Sequence, residues 1–228
     1  MIRLFFAFFA LAISASTFAG GTLPTIPNGC FDDKLFCSEW SIADVNGMRV
    51  IRVKFVAMAY TSDYPTPQSI VDKYFDFAHW GDYAQGTDSI SIENSVLRGT
   101  EGQNDKLYHY VRYVMQAPFP ISHMRIREVT QYTRMEPAAG AVLSYRFALV
   151  PGLQTGLPEY EDRYKTLNGP EGVKYKEGEI HIQYNQENGE YVLFMMTDVV
   201  PGIDLLPKVA APYIERGIVA VAKGMLNL

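Results

Sequence analysis

Catalytic and metal-binding motifs are missing from this 228-residue sequence. The Gly-x-Ser-x-Gly, His-Glu-x-x-His and P-loop patterns do not occur in it. Its four histidines, His79, His109, His123 and His181, are scattered, and none pairs at the spacing of metal ligands. We therefore expect a protein that is not an enzyme and that holds no metal or other cofactor.

Positive charge is also scarce. The 20 lysine and arginine residues are outnumbered by 25 aspartate and glutamate residues, which gives a formal net charge of −5. No basic block occurs in the chain, so nucleic-acid binding has no electrostatic support and no polybasic membrane patch is indicated. We expect no nucleic-acid partner.

Long apolar runs are confined to the N-terminus. A short positive segment, Met1–Arg3, precedes the apolar stretch Leu4–Ile13, and small residues follow with Thr17 and Ala19 placed as a cleavage site. The stretch is shorter than the roughly 20 residues that a membrane span needs. The pattern predicts a signal peptide over residues 1–19 and a secreted, periplasmic protein of a bacterium, with a membrane anchor as the alternative.

Cysteine is limited to two residues, Cys30 and Cys37, both in the part that would be exported. An oxidising compartment favours a disulfide between them, which would clip an N-terminal arm over residues 20–46. The loop is short, so the expected stabilisation is about 2–3 kcal/mol. A thiol nucleophile or a metal pair is the alternative, but the spacing matches no zinc pattern. A short helix is expected within residues 30–46.

The C-terminal 26 residues, by contrast, carry a strong periodic pattern. Apolar or small residues recur in steps of three and four at Ile203, Leu206, Val209, Ala210, Tyr213, Ile214, Gly217, Ile218, Val221, Ala222 and Met225. Charged residues such as Lys208, Glu215 and Lys223 fall on the opposite face. This spacing predicts one amphipathic helix of about 22 residues, with Pro207 at a first helical position.

Segments typical of β-strands precede this helix. They are Met48–Tyr60, Ser89–Leu97, Lys106–Ala117, Met124–Met135, Val142–Val150, Gly178–Asn185 and Glu190–Asp198. A short helix is predicted after Thr66 and Pro67, a turn over Gly99–Asp105, and a loop insertion over residues 151–176. This order predicts an α+β fold, in which a curved antiparallel β-sheet wraps around the long C-terminal helix and an internal cavity lies between them.

Three local patterns resemble a known family. The segment Ala117–Arg125 resembles a Pro-x-Pro-(Val/Ile)-Ser pattern between two central strands, and Trp80 resembles the Trp after the first helical region. Asp198–Pro207 resembles the junction before the last helix. With these matches in order, the chain resembles the START (StAR-related lipid-transfer) family of the helix-grip (SRPBCC) superfamily. The resemblance implies a lipid-binding helix-grip domain over residues 47–228 with a hydrophobic cavity, and no particular lipid.

Strand and helix periodicity point to residues that would line the cavity. The candidates are His109, Val111, Tyr113 and Met115 on one strand, Ile126, Glu128, Thr130 and Tyr132 on the next, and Leu206, Ala210, Tyr213, Ile214 and Gly217 on the helix. Glu128, with His109 or a tyrosine, would orient the polar end of a ligand. The alternatives are that the fold alone satisfies Glu128, or that the register is wrong by one residue.

The sequence therefore predicts a binding or carrier protein for a lipid or another hydrophobic small molecule. Transient contact with a membrane would allow ligand exchange. Two alternatives stay open: a cyclase- or aromatase-like enzyme on the same scaffold, with Glu128 and His109 as its polar pair, and a cavity-free interaction module. The cluster of Arg112, Arg125 and Arg127 could bind an anion, but alternation favours a solvated face for these residues.

Overall fold

The structure, a computed structural model, describes residue 23 and residues 35–83, 92–103, 106–115, 124–150, 173–202 and 206–228. Within these ranges, the side chains of Phe77 and of residues 92–103, 106, 110–115 and 124–128 are not described. The predicted signal peptide, Cys30, the Pro-rich match at residues 117–123 and most of the predicted loop insertion lie outside the described residues.

Eight antiparallel strands of the described chain form one sheet in the order β1-β2-β8-β7-β6-β5-β4-β3. The strands are β1 (Phe36–Val45), β2 (Met48–Ala59), β3 (Ile92–Gln103), β4 (Lys106–Met115), β5 (Met124–Met135), β6 (Leu143–Leu149), β7 (Val173–Asn185) and β8 (Glu190–Pro201). The one non-sequential neighbour pair is β2 and β8, which joins the N-terminal hairpin to the C-terminal one. The predicted antiparallel α+β architecture is confirmed.

The helical elements follow β2 and β8. They are α1 (Pro67–Tyr74), a 3-10 turn (Phe77–His79), α2 (Trp80–Tyr83) and α3 (Pro207–Met225). The predicted start of α1 is confirmed, because the Thr66 side chain accepts a hydrogen bond from the Ser69 amide and Pro67 follows it. In α3 the predicted Pro207 also occupies the first turn, and the helix has 19 residues.

The expected short helix within residues 30–46 is wrong over the described part of the arm, because residues 36–45 are the edge strand β1. This strand forms a hairpin with β2 through Asn46 and Gly47, whose φ angles are 53° and 77°. Two consecutive positive φ angles are what a two-residue hairpin turn requires, and Asn-Gly is the dipeptide that adopts them most readily. The hairpin signal was therefore present in the sequence.

Two further boundaries differ from the sequence prediction. The expected turn over Gly99–Asp105 is partly strand, because β3 stays paired with β4 as far as Gln103, opposite Lys106. The pairing of β3 with β4 is interrupted by register shifts at Glu93/Val96 and Leu97/Gly99. Strand β7 begins at Val173, so residues 173–176 belong to the sheet and not to a loop.

The helices join the two edges of the sheet. At one edge, β3 contacts the 3-10 turn and α2; α2 in turn contacts α3, and α3 packs against β1 and β2 at the other edge. The crossing of α2 and α3 is close, because a Cβ atom at Gly224 would overlap the backbone of Tyr83. The Tyr64 hydroxyl donates to the Met225 carbonyl, which satisfies an acceptor at the end of α3. One face of the sheet, the inner face, is thus enclosed.

Two apolar clusters fill opposite ends of this enclosure. The larger one joins α1, α2 and the second half of α3 to the sheet, and includes Phe55, Ile70, Trp80, Ile180 and Val221. The smaller one joins the first half of α3 to β2 and β8, through Ala210, Ala211, Ile214, Ile51, Val53 and Val199. Among the described residues, no helix has both the length and the apolar character that crossing a bilayer requires.

Candidate functional site

Polar side chains lie on the inner face beside the larger apolar cluster. His109 in β4 pairs in register with Thr130 in β5, and their exposed fractions are 3% and 0%. Period two along each strand places both residues on the face that α3 covers. Of the predicted lining residues, His109, Thr130 and Tyr132 are therefore inside the molecule.

Aromatic rings surround His109. Its ring centroid lies 4.7 Å from that of Tyr132 and 5.5 Å from that of Phe75, just after α1. Phe75 also contacts Tyr132 at 3.8 Å and Tyr145 at 6.0 Å, and Tyr132 contacts Phe147 at 5.8 Å. Rings from α1, β5 and β6 thus form one wall beside the polar pair.

The electrostatic environment keeps His109 neutral. Burial lowers its pKa to about 4, and the positive charge of Lys176 acts in the same direction. A neutral imidazole has one N–H donor and one acceptor nitrogen, so it can bind an uncharged or an anionic polar group. At neutral pH, the residue therefore supplies polarity to the interior without supplying charge.

Lys176 is a feature of the inner face that the sequence prediction missed. It pairs with Val199, which packs on α3 with Ala210 and Ile214. The side chain is half-buried, and its ammonium lies 5.9 Å from the ring centroid of Phe147. The alternation of Lys176 with the buried residues Gly178, Ile180 and Ile182 was the signal that could have found it.

A β-bulge helps to place this lysine. Between Val173 and Tyr175 the register of β7 shifts by one residue against β8. Val173, which packs against both apolar clusters, and Lys176 therefore both face inward although three positions separate them. Bulges commonly re-aim side chains in this way next to functional sites.

The other strand candidates are placed by backbone register alone. Val111 pairs with Glu128, Tyr113 with Ile126 and Met115 with Met124, so the two predicted sets face each other across β4 and β5. Their side chains lie outside the part of the structure that is described. Arg112 pairs with Arg127 at the alternate positions of the same strands. Whether Glu128 meets His109 therefore stays a prediction.

The helix candidates divide into three groups. Ala210, Ile214 and Gly217 are buried, and the first two pack directly on the sheet within the smaller apolar cluster. Tyr213 is half-buried. Leu206 is 74% exposed, so its placement in the cavity lining is wrong. The reason is local: with φ −58° and ψ 131°, Leu206 precedes the first helical residue and does not follow the helical periodicity.

The opposite, outer face of the sheet carries an ionic network. Arg52 donates two hydrogen bonds of 2.7 Å to its cross-strand partner Asp198. Glu177, next to Asp198 across β7 and β8, accepts from Arg146 and, at 2.7 Å, from the Tyr175 hydroxyl. Each carboxylate thus has its own cationic partner, which is an arrangement that stabilises a sheet.

A Ser-His-Glu row lies on the same outer face. The Ser144 hydroxyl lies 2.8 Å from Nδ1 of His181, and Nε2 of that ring lies 3.1 Å from Glu179, whose pKa the contact lowers. The order resembles a hydrolase triad. Ser144 is, however, fully buried and accepts the Ala138 amide hydrogen, so the row holds the chain between β5 and β6 in place.

An open groove occurs at one end of the molecule. It has a volume of about 460 Å³ and is lined by Thr61, Pro67, Val142, Tyr184, Gly189 and Tyr191. It lies where the β7–β8 hairpin meets the start of α1, away from the row of inner-face polar groups. The described residues contain no cluster of three or more potential metal ligands.

The arrangement of sheet and helices can be compared with solved structures. The lipid transfer and protein localization domain of human StarD13 (DLC2) superposes with a TM-score of 0.50 at 10% identity, over 83% of this chain and 88% of that one. This is a START-like helix-grip fold. A STAR-related lipid transfer protein from Xanthomonas axonopodis is similar at a TM-score of 0.49 and 15% identity, over 82% of this chain and 97% of that one.

A third similar structure comes from Thermus thermophilus, with a TM-score of 0.41 and 12% identity over 77% of this chain and 96% of that one. No protein-family model matches the sequence, and no curated protein matches it significantly. At such low identity the StarD13 likeness shows the fold and leaves the ligand open. The predicted START-like helix-grip fold is confirmed.

Proposed function

We propose that this protein binds and carries a lipid or another hydrophobic small molecule between the inner face of the sheet and α3. The observation that carries the proposal is the buried pair His109 and Thr130, which lies beside an aromatic wall on the enclosed face. An apolar enclosure with a few polar groups is the usual design of a small-molecule site. The StarD13 domain, which is named for lipid transfer, supports the same function.

The driving force is burial of apolar ligand surface, at about 25 cal/mol per Å² removed from water. The aromatic residues Phe75, Tyr132 and Phe147 supply apolar area, and His109 and Thr130 supply polar contacts that orient the ligand. Such binding needs no catalytic group. We propose a carrier and not an enzyme, with transient membrane contact as the route of ligand exchange.

The proposed setting is outside the cytoplasm. The signal-peptide pattern of residues 1–19 directs export, into the periplasm if the source is a bacterium. In that compartment Cys30 would pair with Cys37, which lies in the edge strand β1. The disulfide would fasten the N-terminal arm to the sheet.

Lipid extraction from the purified protein tests the proposal. The exported protein should release a stoichiometric hydrophobic compound into organic solvent, identified by mass spectrometry, and the stripped protein should take up an apolar fluorescent probe. Absence of both from a folded protein would overturn the carrier function and favour a solid interaction module.

A pair of variants locates the site. Thr130→Phe places a ring on the inner face and should reduce probe uptake, because Thr130 is fully buried there. Thr133→Phe is the matched control, since it adds the same ring on the outer face of the same strand, opposite Arg146. Circular dichroism confirms that both variants are folded. Equal uptake by both variants would contradict a site beside His109.

A further inference from the structure

Lys176 is a cationic side chain on the enclosed face of the sheet, and the proposed function does not yet use it. We propose that the ligand carries an anionic head group, a carboxylate or a phosphate, and that Lys176 binds it. This inference rests on the function proposed above and specifies the chemistry of its ligand. Three observations support it: the row in which Lys176 lies, its aromatic support, and the separation of charge between the two faces of the sheet.

The strand register places Lys176 in one transverse row with the buried polar pair. His109 pairs with Thr130, and Thr130 pairs with Leu149. On the next pair of strands, Ala148 pairs with Glu177. The following position along both strands places Leu149 beside Lys176. Three polar residues of β4, β5 and β7 thus follow one line across the inner face, interrupted by a single leucine.

The side chain of Lys176 lies against a fixed aromatic surface. Its ammonium is 5.9 Å from the ring centroid of Phe147, which is 1% exposed. Phe147 fills the space over Gly178, where a Cβ atom would overlap the ring. Because the ring is buried and packed against Gly178, it offers the lysine stem an apolar surface.

Charge is separated between the faces of β7 and β8. The acidic residues Glu177, Glu179 and Asp198 occupy the outer face, where arginines and His181 contact them. Lys176, at the alternate position of β7, brings positive charge to the inner face, and this charge contributes to the lowered pKa of His109. On the inner face of these two strands, Lys176 therefore favours an anionic group over a cationic one.

The same row has the donors that an anionic head group requires. A lysine ammonium binds carboxylate and phosphate oxygens alike, as a point charge with three donors. The Thr130 hydroxyl and the neutral His109 ring lie further along the row, and each can donate one hydrogen bond to a head-group oxygen. The hydrocarbon part of the ligand would then extend along Phe75, Tyr132 and Phe147.

Two pairs of ligands with equal tails test the inference. The stripped, exported protein is titrated with palmitate and hexadecanol, and with lysophosphatidate and monoacylglycerol, by displacement of an apolar fluorescent probe. The wild type should bind at least one acid about tenfold more tightly than its neutral partner. Whichever pair shows the preference identifies the head group as carboxylate or phosphate.

Substitutions then assign the preference to Lys176. Lys176→Met keeps the stem and should abolish the preference for the acid while leaving the affinity for the neutral partner unchanged. Lys176→Arg should retain it. Lys174→Met, two positions earlier on β7 at an exposed site, removes the same charge and should have no effect.

The outcomes separate this inference from the function on which it rests. A wild type that binds neutral and anionic ligands equally, or a Lys176→Met variant with an unchanged preference, would overturn the role of Lys176 and leave hydrophobic binding standing. A folded wild type that binds no member of either pair would overturn both.

Discussion

The surroundings of His109 differ from those of an exposed histidine. It lies between Phe75 and Tyr132, and its pKa falls from the ordinary value of 6.5 to about 4, mainly through burial. Between pH 4 and pH 6.5, His109 binds a proton in the unfolded chain but not in the folded protein. Stability is therefore complete above pH 6.5 and decreases as the pH falls towards 4.

Replacing His109 should reduce the loss of stability that occurs as the pH falls from 6.5 to 4. His109→Phe keeps ring contacts with Phe75 and Tyr132 but cannot titrate. The wild type should lose up to about 3 kcal/mol more than the variant between pH 6.5 and pH 4. Urea unfolding at several pH values measures the difference. A variant that loses as much stability as the wild type over this range would show that His109 becomes protonated without unfolding.

Gly178 shows how one small residue determines an aromatic contact. It faces inward in β7 opposite Phe147, and a Cβ atom there would overlap both that ring and the Met196 carbonyl oxygen. Glycine within a strand often marks such a close approach. The reason for a glycine at this position lies in the neighbouring strand, which places Phe147 against it, and the local sequence does not show this.

At the scale of elements, the crossing of α2 and α3 closes the enclosure. Gly224 is the residue of closest approach, since a Cβ atom would overlap the backbone of Tyr83. Trp80, the match to the START pattern after the first helical region, is buried in α2 and donates from Nε1 to the Tyr74 carbonyl oxygen at 2.9 Å. Helix α2 is thus fixed against α1 through Trp80 and against α3 through Tyr83.

Gly224→Ala should loosen this crossing. An alanine inside a helix normally stabilises it by about 1 kcal/mol relative to glycine. Here the methyl group meets backbone, so we expect destabilisation by about 2 kcal/mol. Lys208→Ala, at an exposed position in the first turn of α3, is the control and should change stability by less than about 0.5 kcal/mol. Urea unfolding shows whether Gly224→Ala stabilises or destabilises the protein. A stabilised variant would contradict the close contact.

The edge strand β1 belongs to the same closure. Its Ser38 hydroxyl donates to Glu215 of α3 at 2.8 Å, and Phe36 stacks on Phe55 of β2 at 5.3 Å. Cys37 lies between these two contacts. A disulfide to Cys30 would therefore attach the arm at the point where the sheet meets α3, and would reduce fraying of an edge strand.

At the scale of the whole molecule, the two faces of the sheet carry different side chains and are covered by different segments. The outer face bears the ion pairs of Arg52 and Arg146, together with an apolar strip of Val56, Val192 and Phe194 that Leu23 contacts. Leu23 belongs to the segment between the predicted signal peptide and β1. Leu23 thus contacts the outer face, whereas α3 covers the inner one. The proposed ligand site and Leu23 lie on opposite sides of one sheet.

Export should change the mass of the chain in two ways that can be measured. When the full sequence is expressed in a bacterium with a functional export pathway, the periplasmic protein should lack residues 1–19 and weigh two hydrogens less than its reduced form. Intact-mass spectrometry before and after reduction measures both changes.

Cys37→Ser is the control for the second change, because its mass should not respond to disulfide reduction. The variant should also unfold at a lower denaturant concentration, because its free energy of unfolding should be lower by about 2 kcal/mol. A full-length mass in the membrane fraction would favour the anchor alternative. A processed protein whose two thiols stay free would contradict the disulfide alone.

Local patterns in the sequence were enough to predict most elements and the inward orientation of three strand residues. Period two in β4 and β5 placed His109, Thr130 and Tyr132 inside, and the Thr66–Pro67 start of α1 and the Pro207 start of α3 followed from capping preferences. These features depend on neighbours a few residues apart. Local physics therefore suffices to predict them.

Contacts between distant segments decided the rest. That β7 begins early enough to carry Lys176 inward, and that Gly224 touches Tyr83, depend on partners far away in sequence. Leu206 fits the helical pattern but lies just before the helix starts, and is exposed. Long-range pairing overrides weak local preference, because a strand edge or a helix crossing is stabilised by atoms that the local sequence does not contain.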